Sequence, residues 1–222
     1  MRSYAKRLRS GERVSDDEFD AVYPDQVKSV SFRHWTPVTV ARRAAQLLTQ
    51  TGATKVLDVG AGPGKFCIIG ALTTAAEFTG IEQRQNLVEL AEGAASRFGA
   101  DRARVVRANI VTFDCSPFNG FYFFNPFQEQ IENDPLPIDG TLERSRTLYN
   151  MYVAAATANL IRAAPGTAVV TYHGFGGPMP PHYQRVHREA TPRAEIVLWV
   201  RVGHSKTRPR RPSAGVGLPK GK

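Results

Sequence analysis

Val56-Leu57-Asp58-Val59-Gly60-Ala61-Gly62-Pro63-Gly64-Lys65-Phe66 reads as a short buried strand that runs into a glycine-rich turn and then an apolar helix. Glycines at alternate positions let the backbone turn sharply and approach a ligand where a Cβ would collide. Their amides, followed by a helix N-terminus, form a cradle for a polar or anionic group. Spacing narrows the choice of ligand. A dinucleotide fingerprint, G-x-G-x-x-G, would need glycine at Lys65. A Walker-type phosphate loop would need glycine at Val59 and Ser or Thr at Phe66. Neither pattern is met, and what remains is Asp58-x-Gly60-x-Gly62-x-Gly64.

Outward from this stretch, strands and helices alternate. Thr36-Pro37 opens a helix, with Thr36 as N-cap and Pro37 at the first helical position, and Gly52 stops it. Strands are expected at 55–59, 77–82, 104–107, 120–124 and 167–172, with the loop and a helix over about 60–76 and helices at about 85–98 and 142–162 between them. Two closing strands, 183–189 and 195–202, have no helix between them and read as an antiparallel hairpin. A connection rich in Pro, Asp and Glu occupies 128–140. The fold class is therefore α/β: a single Rossmann-like, doubly wound sheet, mostly parallel, with a C-terminal antiparallel hairpin. The expected organisation is an N-terminal extension over 1–33, the domain over 34–202 and a basic tail over 203–222.

Composition bounds the rest. A chain of 222 residues with 42% apolar content and a mean hydropathy of -0.30 suits one soluble globular core. No apolar run approaches the roughly 20 residues of a membrane span. Two cysteines, Cys67 and Cys115, are too few for a disulfide scaffold, and a cytoplasmic location is expected. The net charge of +9 belongs to the ends: residues 1–13 carry five basic residues and 201–222 carry seven. The tail has the composition of a disordered segment, which either aids solubility or holds nucleic acid or another anionic polymer weakly.

The Asp58-to-Gly64 motif resembles motif I of the class I S-adenosylmethionine (SAM) dependent methyltransferases, and the order of elements over 34–202 is similar to theirs. The resemblance implies SAM as cofactor and methyl transfer as the reaction. It places Gly60, Ala61, Gly62 and Gly64 along the methionine part of the cofactor, and has Asp58 accept from backbone donors or, through water, from its ammonium. Glu82 ends the second strand, where a carboxylate accepts from ribose hydroxyls; the family's matching position does so. Gln83, beside it, joins the implied cofactor contacts, although Gln83 and Arg84 read from the residues as surface positions. Asn109 would hydrogen-bond the adenine amino group, and Ile110 would pack on the ring.

Asn125-Pro126-Phe127 resembles motif IV of the amino-methyltransferases, with one proline where that family has two. That resemblance implies that Asn125 and the Pro126 carbonyl orient an attacking nitrogen while Phe127 stacks on a planar substrate; alternatively Asn125 touches cofactor or caps the turn. His173 and Tyr172 end the fifth strand, and His173 either takes a proton or is structural. His34-Trp35-Thr36-Pro37 either closes over the cofactor or packs an N-terminal Trp. The acceptor is left open between an amine of a protein or nucleic acid and a small molecule, with a catalytically inactive SAM-binding regulator as the other class. A dehydrogenase is disfavoured by Lys65. Oligomeric state is not legible here.

Overall fold

In a computed structural model, residues 1–131 and 142–203 are described. Four short helices come first: α1 (Arg2–Ser10), α2 (Asp16–Asp20), α3 (Asp25–Lys28) and α4 (Ser31–His34). Helix α5 (Val38–Gln50), strand β1 (Lys55–Val59), α6 (Lys65–Thr73), β2 (Glu77–Glu82), α7 (Gln85–Phe98), β3 (Ala103–Arg107) and β4 (Gly120–Phe124) follow. A 3-10 turn at Gln128–Gln130, α8 (Arg146–Arg162), β5 (Ala168–Tyr172), β6 (Tyr183–Ala190) and β7 (Glu195–Arg201) complete the chain. The sheet order is β3-β2-β1-β4-β5-β7-β6; the first five strands are parallel, and β7 and β6 are antiparallel.

Strand parity divides the core. Leu57, Val59, Phe121, Phe123 and Val169 face one cluster, with Tyr152, Ala156 and Leu160 of α8. Val56, Tyr122, Val170 and Tyr172 face the other, with α1, α5 and α6. Side chains alternate across a pleated strand, so one register decides both faces at once. Both faces are covered, which explains the near-continuous apolar reading of β4 and β5.

Several local expectations are revised. The segment 1–33, read as an extension, shares the apolar cluster of the domain through Ala5, Leu8, Val14, Phe19, Val22 and Tyr23. Helix α5 begins one residue later than expected, with Pro37 as N-cap. Thr36 does not cap it: its hydroxyl pairs with Tyr122 Oη at 2.9 Å, and the Val38 amide donates to Asp16 Oδ1 at 2.8 Å. A side chain from α2 thus supplies the cap that the local sequence lacks. Helix α8 starts at Arg146, not near Leu142, where Ser145 Oγ accepts from the Leu148 amide at 3.2 Å. Most of the Pro- and acid-rich connection, 132–140, and the basic tail from 204 onward, with His204, lie outside the described residues. Among the described residues no helix is long and apolar enough to cross a membrane.

Candidate functional site

The sheet order reverses between β1 and β4, and in open α/β sheets ligands sit outside the carboxyl ends of the strands at this switch. A cavity of about 440 Å³ lies there, within the size range of small-molecule sites. Gly60, Gly62, Glu82, Gln83 and Ile110 line one end, Phe124–Phe127, Tyr172 and His173 the other, and residues from Phe32 to Pro37 wall it from the N-terminal side.

The three motif glycines do different jobs, although all have positive φ. At Gly60 a Cβ would lie 2.8 Å from Pro126 Cβ, so the loop after β1 is packed directly on the loop after β4. At Gly64, which caps α6, a Cβ would meet Ala91 and Val105, so this glycine lets the loop pack on α7 and β3. At Gly62 a Cβ would meet no atom within 4 Å, and the residue lines the cavity. Gly62 is therefore the position where a ligand can reach backbone, a cradle that a side chain would fill.

Two motif residues are not where the resemblance put them. Asp58 is buried on the α5–α6 face, because strand parity turns it away from the cavity. Its Oδ2 accepts from Cys67 Sγ at 3.6 Å, and burial pushes its carboxyl up to about 7. Ala61 also turns inward, packed against Val88, Ala91 and Val105, and its Cβ is what keeps position 80 a glycine.

Glu82 is buried and held by three backbone amides. Oε1 accepts from Gln83 at 2.8 Å and Arg84 at 2.9 Å, and Oε2 accepts from Gly62 at 3.1 Å. A carboxylate has about four acceptor sites, so a further donor in the cavity meets Oε2. Burial raises the Glu82 pKa against these amides and the nearby Arg84. The fit with a cofactor carrying ribose hydroxyls rests on the pinned Glu82 carboxylate beside the open backbone at Gly62. Arg84 is not a surface residue. It is buried, 3.1 and 2.7 Å from the two oxygens of Glu129, and ties the end of β2 to the 3-10 turn.

Gln83 Oε1 accepts from Asn109 Nδ2 at 3.0 Å and Tyr152 Oη at 3.3 Å. Asn109 stands behind Gln83, and its Oδ1 accepts from the Val111 amide at 3.0 Å. Gln83, Ile110 and Tyr152 line the cavity, and Asn109 does not. Tyr152 carried no signal beyond its place in the apolar pattern of α8.

Asn125 and His173 are the only non-glycine residues with positive φ among the described residues, at 43° and 61°. Both line the cavity, one after β4 and one after β5. Strained backbone of this kind clusters at functional sites. The Asn125 amide donates to Gly174 O at 3.0 Å, which locks the two loops together. Phe127 corrects the stacking expectation: at 5% exposure its ring is packed in the core beside Tyr152, with centroids 5.6 Å apart. Phe124 lies 5.4 Å from the His173 ring instead. Burial, then the charge of Arg193, holds the His173 imidazole below its usual pKa, so it is neutral at neutral pH.

The N-terminal wall is tied to the glycine loop. Lys65, buried, lies 2.6 Å from Asp16 Oδ1 and 2.7 Å from Asp20 Oδ1, the latter a contact of charges without good hydrogen-bond alignment. Tyr23 Oη donates to Pro63 O at 2.8 Å, and Tyr23 packs edge-on against Trp35 at 4.9 Å. Trp35 is thus packed and lines the cavity at once.

Residues 50–136 match the model of a family described as a methyltransferase domain. No curated protein matches the chain. Among solved structures, TrmN from Thermus thermophilus aligns with a TM-score of 0.58 and 15% identity over 79% of this chain; the match spans only 52% of TrmN. An RNA methyltransferase from Salinibacter ruber in complex with S-adenosyl-L-homocysteine aligns at TM-score 0.52 and 19% identity, over 78% of this chain and 97% of that one. An O-methyltransferase from Bacillus cereus, also in complex with S-adenosyl-L-homocysteine, aligns at 0.55 and 12%, over 90% and 97%. At these identities the likeness is one of fold.

Proposed function

We infer the acceptor from the site, since the chain itself carries a SAM-dependent methyltransferase domain with S-adenosylmethionine as its cofactor. We propose that the acceptor atom is an amine nitrogen. When bound, the cofactor supplies a methyl group on a sulfonium whose sulfur leaves neutral. The chain's own contribution is positioning and electrostatics. Gly60 and Gly62 offer backbone to the cofactor, and Glu82 Oε2 offers an acceptor to its hydroxyls.

The observation that carries the amine reading is the left-handed Asn125, held by the Gly174 carbonyl beside Pro126, with Pro126 packed on Gly60. In this reading the Asn125 side-chain amide oxygen and the Pro126 carbonyl accept from an attacking N–H and offset the positive charge that grows on nitrogen. The nitrogen forms a bond to the methyl carbon as the carbon–sulfur bond breaks. The proton that nitrogen then sheds has a neutral imidazole, His173, on the same wall. Both cysteines of the chain, Cys67 and Cys115, are free and buried, which supports a cytoplasmic location.

The test is Asn125→Ala, with SAM affinity measured by calorimetry and turnover by transfer of labelled methyl. Turnover is expected to fall by about 100-fold, the scale of a lost transition-state donor or acceptor, with SAM affinity nearly unchanged. Equal losses in both would make Asn125 a cofactor contact and remove the amine reading.

A further inference from the structure

We propose that Gln83 reads the cofactor's adenine as a hydrogen-bond donor, through Nε2 to a ring nitrogen, and that Asn109 fixes this polarity from behind. The contact belongs to the cofactor end of the cavity and is independent of the amine reading. Its polarity starts from a group that has no choice. The Val111 amide can only donate, so the Asn109 atom 3.0 Å from it is the carbonyl oxygen, Oδ1. The other end of that side chain is Nδ2, which also only donates, and the Gln83 atom 3.0 Å from it is therefore the oxygen, Oε1. Tyr152 Oη adds a second donor to the same oxygen at 3.3 Å. The orientation of both amides thus follows from one backbone N–H.

Gln83 Oε1 has two lone pairs and two donors on it, while Nε2 has no partner among the described residues. Gln83 is half-buried, lines the cavity with Ile110 and Tyr152, and its Nε2 is not enclosed by protein. An open donor therefore stands beside an apolar side chain and an aromatic ring, on the residue that follows the Glu82 carboxylate. The ring nitrogens of adenine accept hydrogen bonds, whereas its amino group donates. A donor meets a ring nitrogen; an amide turned the other way would meet the amino group. Asn109 is the position where the resemblance expects a contact to that amino group. Here its Oδ1 is held by the Val111 amide and its Nδ2 by Gln83. The base is read with the opposite polarity, and Asn109 is a positioning residue.

The experiment is calorimetry on the full chain with S-adenosyl-L-homocysteine and three analogues of it, in each of which one adenine ring nitrogen, N1, N3 or N7, is replaced by CH. One analogue is expected to bind about 10-fold more weakly than the parent, the scale of a donor left without its acceptor, and it identifies the nitrogen. Gln83→Met is expected to weaken the parent about 10-fold and to bind the parent and that analogue alike. Asn109→Asp, measured at about pH 8 where the new carboxylate is ionised, keeps an acceptor for the Val111 amide but turns a second acceptor on Gln83. The Gln83 amide must then reverse and present its oxygen to the cavity. The parent is expected to weaken at least as much as in Gln83→Met, and its advantage over the analogue to disappear. Tyr152→Phe leaves the Asn109 donor in place and should keep that advantage.

Equal wild-type affinity for the parent and all three analogues would overturn the contact, and so would an advantage that survives in Gln83→Met. An advantage that survives in Asn109→Asp would overturn the control of polarity by Asn109. Each ratio compares two ligands on one variant, so a change in fold stability alone does not move it. If Gln83→Met does not fold, Gln83→Glu, which keeps an acceptor for Asn109 and Tyr152, takes its place and must lose the same advantage. The Asn125→Ala turnover result tests the amine reading separately.

Discussion

Gly62 and Asp58 stand four positions apart in one motif, yet they predict opposite kinds of effect. Gly62 has φ 54° and open space where a Cβ would point. Gly62→Val is therefore expected to abolish SAM binding by calorimetry, by filling the backbone approach, while the fold survives with about 1–2 kcal/mol of conformational strain. Unchanged affinity would take the glycine turn out of the cofactor site. Asp58, in contrast, faces Cys67, and its effect is on stability. Burial raises its carboxyl from 3.8 to about 7, so between these values the folded protein holds a proton that the unfolded chain has released. Stability from this group is present below about pH 4 and is lost as pH rises toward 7. At roughly 1.4 kcal/mol per unit the loss is on the order of 4 kcal/mol. Asp58→Asn removes the ionisation and keeps an acceptor for the Cys67 thiol. Urea midpoints should show the variant gaining on the wild type from pH 5 to pH 8; a constant difference would mean that Asp58 is charged in the fold. The buried Glu82, also raised, leaves a residual slope of the same sign. These two positions also mark what was legible. The motif identifies a glycine turn through spacing alone, but which glycine meets ligand depends on Pro126, Ala91 and Val105, residues remote in sequence. Asp58 was misplaced because parity along β1, not the motif, aims its side chain.

The N-terminal helices show how an element can be invisible locally and still be fixed by its contacts. Helices α2, α3 and α4 span five, four and four residues, too short to show a period or to be stable alone. Their positions come from elsewhere: Asp16 and Asp20 on Lys65, Asp16 on the α5 amide, and Tyr23 on the Pro63 carbonyl. Sequence reading noted Lys65 only as the residue that breaks the dinucleotide fingerprint, and gave it no pairing with Asp16 or Asp20. The pairing between them spans 45 to 49 positions, which no local pattern reports. The consequence is testable. Lys65→Met leaves the buried Asp20 carboxylate without its cation and is expected to cost about 3–5 kcal/mol in chemical denaturation. Adding Asp20→Asn should recover a large part of that loss, whereas independent sites would simply add. Lys65→Met should also weaken SAM binding, since the same contacts hold the glycine loop and the Trp35 wall; full SAM affinity in a destabilised variant would confine Lys65 to a structural role. By comparison α7 and the parallel strands were legible almost residue for residue, because α7 carries its own period and its glycine stop, Gly99, and the strands are short apolar runs.

At the scale of the whole molecule, net charge and cofactor site are separable. The body is close to neutral and the net charge of +9 arises at the ends. Part of the N-terminal charge is spent inside the fold: Arg7 pairs with Glu18 at 2.7 Å, and Arg9 donates to Gly99 O at 2.6 Å. Residues 204–222 carry six Lys and Arg with no acid, and no aromatic residue to stack on a base. A segment of that chemistry binds phosphates by releasing counterions and reads no sequence. Replacing Lys206, Arg208, Arg210 and Arg211 together by Gln in the full chain is expected to lower affinity for a single-stranded oligonucleotide in anisotropy titrations and to reduce the salt slope by about 3, at roughly 0.7 per phosphate contact. SAM affinity is expected to stay unchanged, because the cavity is built from Gly60, Gly62, Glu82 and Gln83 of the folded domain. A slope untouched by neutralising the four tail cations would assign attraction to the folded body instead of the tail.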